Sequence, residues 1–130
     1  MRRPAGFGAV VPYIFADDCD GYVTFLTEAF GAVEIGQSLR PDGAIANVQL
    51  RFDDTMIMLS ETAAGFPASR LSLYLYVDSA DRAMARAIAA GAEPIMVVDD
   101  MPYGDRQGGV RDPRGTLWWI SERLVDAPYF

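Results

Sequence analysis

The sequence contains no histidine and no lysine, so all 11 of its basic residues are arginine. Without histidine the chain lacks the commonest general base and the commonest transition-metal ligand. Without lysine, no Schiff base can form except at the first amino group of the chain. Any catalysis must therefore rest on carboxylates, tyrosines, serines or arginines. One cysteine, Cys19, leaves no internal disulfide and fits a reducing cytoplasm. It stands among Asp17, Asp18 and Asp20, whose charge disfavours the thiolate, so it is expected to be inert. Basic charge is scarce as well. With 18 acidic residues the net charge is −7, which argues against nucleic acid as a partner. The same field attracts a cationic small ligand, although surface acidity also serves solubility alone. No apolar run approaches the ~20 residues that span a bilayer, so no membrane association is expected. Residues 2–15 are broken by Pro4 and Pro12 and lead into Asp17-Asp18, a poor signal peptide.

What is present is a chain of 130 residues, about half apolar. That is enough for one domain with a sizeable core or for two small fused modules. The clearest local signal is Asp112-Pro113-Arg114-Gly115, with proline at the second and glycine at the fourth position of a type I turn. Residues 116–121 follow as a buried strand rich in aromatic and β-branched side chains. Neighbouring side chains on a strand point to opposite faces, so Trp118 and Trp119 cannot share a compartment.

The remaining pattern predicts strands over 9–15, 33–40, 44–52 and 55–61, with a helix between the first two. Asp17 or Asp18 caps that helix, and Tyr22, Phe25, Leu26, Ala29 and Phe30 recur at helical spacing up to Gly31. Residues 62–69 read as a linker. The pattern then returns. Strands are predicted over 71–77, 94–98, 105–111 and 116–121, with a helix that Asp78 or Ser79 caps and Gly91 closes. Met84, Ala87 and Ile88 line its apolar side. A slide of 60 residues places Asp18 on Asp78, Ala29 on Ala89, Gly31-Ala32 on Gly91-Ala92 and Ile35 on Ile95. An internal βαβββ repeat is the better reading of those matches.

Each module has one helix for one face of its sheet, which leaves the other face uncovered. Alternation assigns Leu73 and Leu75 to the helix side and Ser72, Tyr74 and Tyr76 to the other. Val48, Leu50 and Phe52 likewise oppose Asn47, Gln49 and Arg51, while Ile57 and Leu59 oppose Met56, Met58 and Ser60. The far face is thus amphipathic, and a pocket for a flat, partly apolar organic molecule has that mixture. A dimer interface is enriched in the same residue types. The two uses are compatible.

Several segments in order carry a resemblance: Val11-Pro12-Tyr13, Glu28-Ala29-Phe30-Gly31-Ala32, and Gln49-Leu50-Arg51-Phe52-Asp53-Asp54 running into Met58-Leu59-Ser60-Glu61. Tyr103-Gly104-Asp105-Arg106 and Asp112-Pro113-Arg114-Gly115 leading to Trp118 complete it. Over residues 11–122 the chain resembles the vicinal oxygen chelate superfamily, the glyoxalase/bleomycin-resistance fold, and especially its PhnB-like branch. The resemblance implies an α+β fold of two tandem βαβββ modules forming a cup-shaped mixed sheet, usually as a homodimer. The chain is then one domain, with modules at about 8–62 and 70–123 and a linker at 63–69. In metal-dependent members each module supplies a His or Glu ligand from its first and last strands. The motifs carry those places to Val10, Met58, Ser72 and Trp119, and the His common in the PhnB-like pattern to Asn47. None of the four is a plausible divalent-metal ligand, so neither metal nor other cofactor is expected. Trp119 is bulky enough to fill the metal cavity, and its face can stack on an aromatic or cationic ligand.

The leading expectation is metal-free binding of a small planar or cationic organic molecule, of the drug-sequestering type, in a groove at a homodimer interface. Its candidate ligand-binding residues are Trp119, Tyr74, Tyr76, Met58, Asn47, Gln49, Ser72 and Arg111. The alternative is a metal-independent lyase or isomerase, with Glu61 or Asp105 as base and Arg106 or Arg111 stabilising an oxyanion. A third reading is an interaction domain whose concave face is closed.

Overall fold

The structure, a computed structural model, describes residues 1–130. Ten elements form two βαβββ runs: β1 (Tyr13–Ala16), α1 (Cys19–Phe30), β2 (Val33–Leu39), β3 (Ile45–Phe52) and β4 (Thr55–Glu61), then β5 (Ser72–Tyr76), α2 (Ala80–Ala89), β6 (Glu93–Asp100), β7 (Asp105–Arg111) and β8 (Leu117–Arg123). They group into two compact units, Met1–Ser69 and Arg70–Phe130. Each unit holds one four-stranded mixed sheet, ordered β1-β4-β3-β2 in the first and β5-β8-β7-β6 in the second. The pairs β1–β4 and β5–β8 are parallel, and the other neighbours are antiparallel. The α+β class and the tandem repeat are those expected. No helix is long and apolar enough to cross a membrane.

Both helices start on a side-chain cap. The Asp18 carboxylate accepts from Gly21 N at 3.2 Å, and Ser79 Oγ accepts from Arg82 N at 3.3 Å. A second cap comes from far along the chain. Glu61 Oε1, at the end of β4, accepts from Cys19 N at 3.0 Å, and Glu122 Oε1, near the end of β8, accepts from Ala80 N at 3.0 Å. A carboxylate at a helix N-terminus satisfies orphan N–H groups and opposes the dipole. Each helix then covers one face of its own sheet. In the first unit Tyr22 and Leu26 are buried with Ile14, Val48, Leu50 and Leu59; in the second, Met84 and Ala87 are buried with Val110, Trp118 and Ile120. Fully burying one such large apolar side chain contributes about 1.5–3 kcal/mol.

The structure corrects several sequence expectations. Pairing of the first strand begins at Tyr13, not at residue 9, because Pro12 has no N–H; only its carbonyl joins, accepting from Met58 N at 2.9 Å. The last strand runs on to Arg123, since Asp105 pairs with it across the ladder. α2 is capped at Ala90, with Gly91 at φ 116 just beyond. The repeat also has two registers. β2 and β3 recur after 60 residues, as in Val33 and Glu93, paired with Arg51 and Arg111. The helix starts and the β1–β4 pair recur after 61: Cys19 with Ala80, Tyr13 with Tyr74, and Met58 with Trp119. Asp18 therefore corresponds to Ser79 rather than Asp78, and Ser72 to Val11 rather than Val10. Val10 lies before β1, 89% exposed.

Candidate functional site

The two tryptophans divide as alternation requires. Trp118 is buried on the α2 side, with its indole N–H on Asp112 Oδ2 at 2.8 Å. Trp119 is half-buried on the opposite face, where its indole N–H donates to Ser72 Oγ at 2.7 Å. Two glycines make this division possible. A Cβ on Gly108 would lie 2.9 Å from Met84 Sδ, so this glycine lets α2 settle on the sheet. A Cβ on Gly109 would lie 2.9 Å from Trp119 Cζ3 and 3.2 Å from Ile95 Cγ1. Its absence lets the indole lie across the strand. Tyr74 stands directly across from Trp119 in the parallel ladder, and its ring centroid is 5.3 Å from that of Tyr76. These two tyrosines are 46% and 55% exposed, so their rings form an open aromatic surface beside the indole.

The same face carries a buried carboxylate at its far end. Asp105, fully buried, accepts from Tyr74 Oη and Tyr129 Oη, both at 2.6 Å on Oδ2, and from Arg123 Nη1 at 2.9 Å on Oδ1. Burial by itself raises its pKa, but the bonds from Tyr129, Tyr74 and Arg123 outweigh this and hold it below the ordinary carboxylate range. Burial and then the bond to Asp105 push the Tyr74 phenol up. The bond to Asp105, followed by that from Tyr76, pushes Tyr129 up as well. Gln107 Nε2 donates to buried Ser121 Oγ at 2.8 Å, while its Oε1 accepts from Tyr103.

The first unit presents an analogous face with no buried charge. Met58 is half-buried between Tyr13 on β1 and Gln49 on β3. Gln49 Nε2 donates to Asn47 Oδ1 at 3.4 Å. Ser60 Oγ donates to the Ala46 carbonyl at 2.5 Å and so accepts from Tyr13 Oη at 2.6 Å. Phe15 and Phe66 continue the ring surface, with centroids 5.6 Å apart.

Of the eight sequence-derived residues, Trp119, Tyr74, Tyr76 and Ser72 come together on the second unit. Arg111 shares their face but is exposed and paired with Glu93 at 3.4 Å. Asn47, Gln49 and Met58 share the face of the first unit. The groups suggested for catalysis fare differently. Glu61 caps α1, Asp105 is an ionised acceptor with its oxygens engaged, and Arg106 lies on the helix side, paired with Asp81 at 3.0 Å and Asp100 at 2.9 Å. None of these three is available as the base or oxyanion donor suggested. Sequence reasoning missed Tyr13 and Phe15, which alternation along β1 could have found. It also missed Tyr103, Arg123 and Tyr129, which no periodic pattern announces.

The places to which the resemblance carries metal ligands hold no group that suits an ion. Trp119 offers only an N–H donor, that donor already engages Ser72, and Met58 is a thioether. No three His, Cys, Asp or Glu side chains converge anywhere in the chain.

Residues 6–120 match the profile of the Glyoxalase/Bleomycin resistance protein/Dioxygenase superfamily. An uncharacterized protein of Mycobacterium bovis is 30% identical over 125 residues, covering 88% of this chain and 82% of its own length. Among solved structures, TioX from Micromonospora sp. ML1 superposes with a TM-score of 0.76 at 25% identity, covering 91% of this chain and 99% of that one. TnmS3, an antibiotic binding protein from Streptomyces sp. CB03234, does so with a TM-score of 0.71 at 20% identity, covering 94% and 97%.

Proposed function

Because the chain belongs to the Glyoxalase/Bleomycin resistance protein/Dioxygenase superfamily, we propose that it binds a small planar or cationic organic molecule and holds it without chemical change. The observation that carries this reading is the Trp119 indole, laid over Gly109 and pinned by Ser72, with the open rings of Tyr74 and Tyr76 beside it. An aromatic surface of that kind stacks on flat or cationic molecules. Arg111, on the same face, is a further proposed contact. The description of TnmS3 as an antibiotic binding protein supports the fold as a host for drug-sized ligands, although fold alone does not assign function. Within the superfamily we assign the chain to the PhnB-like branch and to the cytoplasm.

The proposed site needs no metal, and a second copy of the chain completes the groove. Elemental analysis of the purified protein is expected to find no stoichiometric zinc, nickel or iron. Sedimentation is expected to give twice the 14.2 kDa of the chain. Ethidium, a planar cation, and bleomycin are suitable first probes. In calorimetry, Trp119→Ala should weaken binding of the responsive probe by roughly tenfold, the equivalent of losing one stacking contact. Unchanged affinity in that variant, with circular dichroism intact, would show that Trp119 is not the platform. Of the groups suggested for the lyase or isomerase alternative, Asp105 and Arg111 lie on this face, both already paired, and no observation favours that reading.

A further inference from the structure

Residues 124–130, after β8, fold back over the buried carboxylate. Arg123 Nη2 donates to the Ala127 carbonyl at 2.5 Å, and Leu124 N donates to the Gly104 carbonyl at 2.9 Å. That return delivers the Tyr129 ring to a defined seat. The guanidinium carbon of Arg123 lies 4.1 Å from its centroid, and the ring of Tyr103 is 6.3 Å away. Its hydroxyl reaches Asp105 Oδ2 and Tyr76 Oη, both at 2.6 Å.

The direction of these bonds is decided by chemistry. Asp105 is ionised and can only accept, so Tyr129 donates to it; Tyr76 then donates to the Tyr129 oxygen. A group in this seat must give a hydrogen bond to Asp105, while the Tyr76 hydroxyl can give or accept the other. A hydroxyl serves both arrangements. An ether cannot donate, a carboxylate would meet the Asp105 charge, and an ammonium would lie against the Arg123 guanidinium. The guanidinium over the ring favours an electron-rich aromatic body.

We propose that Asp105 and Tyr76 form the polar anchor of a subsite for a neutral, hydroxyl-bearing aromatic ligand, and that the Tyr129 phenol occupies this seat as an internal stand-in. The inference deepens the binding function proposed above and rests on it. Tyr74, opposite Trp119 in the ladder and bonded to Asp105 through its hydroxyl, joins the stacking platform to the anchor. A ligand that stacks on Trp119 and extends toward Asp105 displaces Tyr129 with a phenol of its own. Its hydroxyl inherits both bonds.

The test uses the full chain with p-cresol, 4-methylanisole and toluene as probes. Tyr129→Ala empties the seat, and calorimetry should show p-cresol binding it at least about tenfold more tightly than either other probe, because a site built for a hydroxyl rejects analogues lacking the donor. Equal binding of the three, or none, overturns the anchor. In the wild-type chain, p-cresol should abolish the nuclear Overhauser contact between the Tyr129 ring and Arg123, and toluene should leave it intact. Persistence of that contact under saturating p-cresol also overturns the proposal, however the variant folds. Ethidium titrations separate the two readings. Loss of p-cresol selectivity with ethidium binding retained removes the anchor alone. Selective p-cresol binding in Tyr129→Ala, with ethidium affinity unchanged by Trp119→Ala, removes the platform and upholds the anchor.

Discussion

In the first unit Tyr13 donates to Ser60, and Met58, Asn47 and Gln49 complete a face with no buried ion. In the second, the equivalent Tyr74 donates to Asp105 instead of Ser121, and Tyr76, Tyr129 and Arg123 join it. Sixty residues before Asp105 stands Ile45, equally buried. A carboxylate in place of a branched alkyl group reorganises the whole surface, because a buried charge must be paired and hydrogen-bonded. The second difference is steric. Gln49 sits across from Met58, whereas Gly109 sits across from Trp119. The larger ring requires the smaller neighbour. One scaffold used twice thus supplies a face with no buried charge and a face that combines aromatic rings with a buried, ion-paired carboxylate.

This contrast can be broken in three ways, in decreasing size of effect. The helix-side position filled by Trp118 in the second unit is Ile57 in the first. Trp118→Ala should cost about 3–5 kcal/mol in urea denaturation, while Ile57→Val should cost about 0.5–1.5. Similar costs would mean that the indole is not the principal filling of its core. Next, Gly109→Ala drives a methyl group into Trp119 and should cost about 1–3 kcal/mol. Gly36 on β2, with nothing within 4 Å of its would-be Cβ, should accept alanine within about 0.5 kcal/mol. Equal losses at both glycines would contradict the placement of the indole.

The third way is acid. The folded pKa of Asp105 lies below its ordinary 3.8, so its contribution is complete above that value and disappears as pH falls through the folded pKa. The raised phenol pKa values act in the opposite direction. Their contribution is complete below the ordinary 10.0 and is lost at higher pH. Asp105→Asn should therefore remove part of the acid-dependent loss seen in urea midpoints below about pH 4. An unchanged acid limb in Asp105→Asn would mean that the carboxylate is not held in the ionised form.

The candidate site was partly legible because its aromatic members lie on strands. Ser72, Tyr74 and Tyr76 alternate with Leu73 and Leu75, and adjacent tryptophans must separate. The 60-residue slide identified the repeat but misaligned its helix starts, since the second unit is one residue shorter between its helix start and the next strand and one longer in its last hairpin, which a single shift cannot follow. Glu61 and Asp105 both looked like candidate bases. The first instead caps a helix whose start lies 42 residues earlier. The second is enclosed by groups 31, 18 and 24 residues away.

What the chain alone determined was therefore local: element order, the face each strand residue takes, and the want of imidazole and amine chemistry. These follow from steric periodicity and composition, which act over a few residues at a time. Only the tertiary structure decided which carboxylates are occupied, which glycine lies beneath the indole, and that the phenol of residue 129 meets Asp105. Those outcomes depend on groups distant in sequence meeting within hydrogen-bonding or van der Waals distance, and no window along the chain contains both partners.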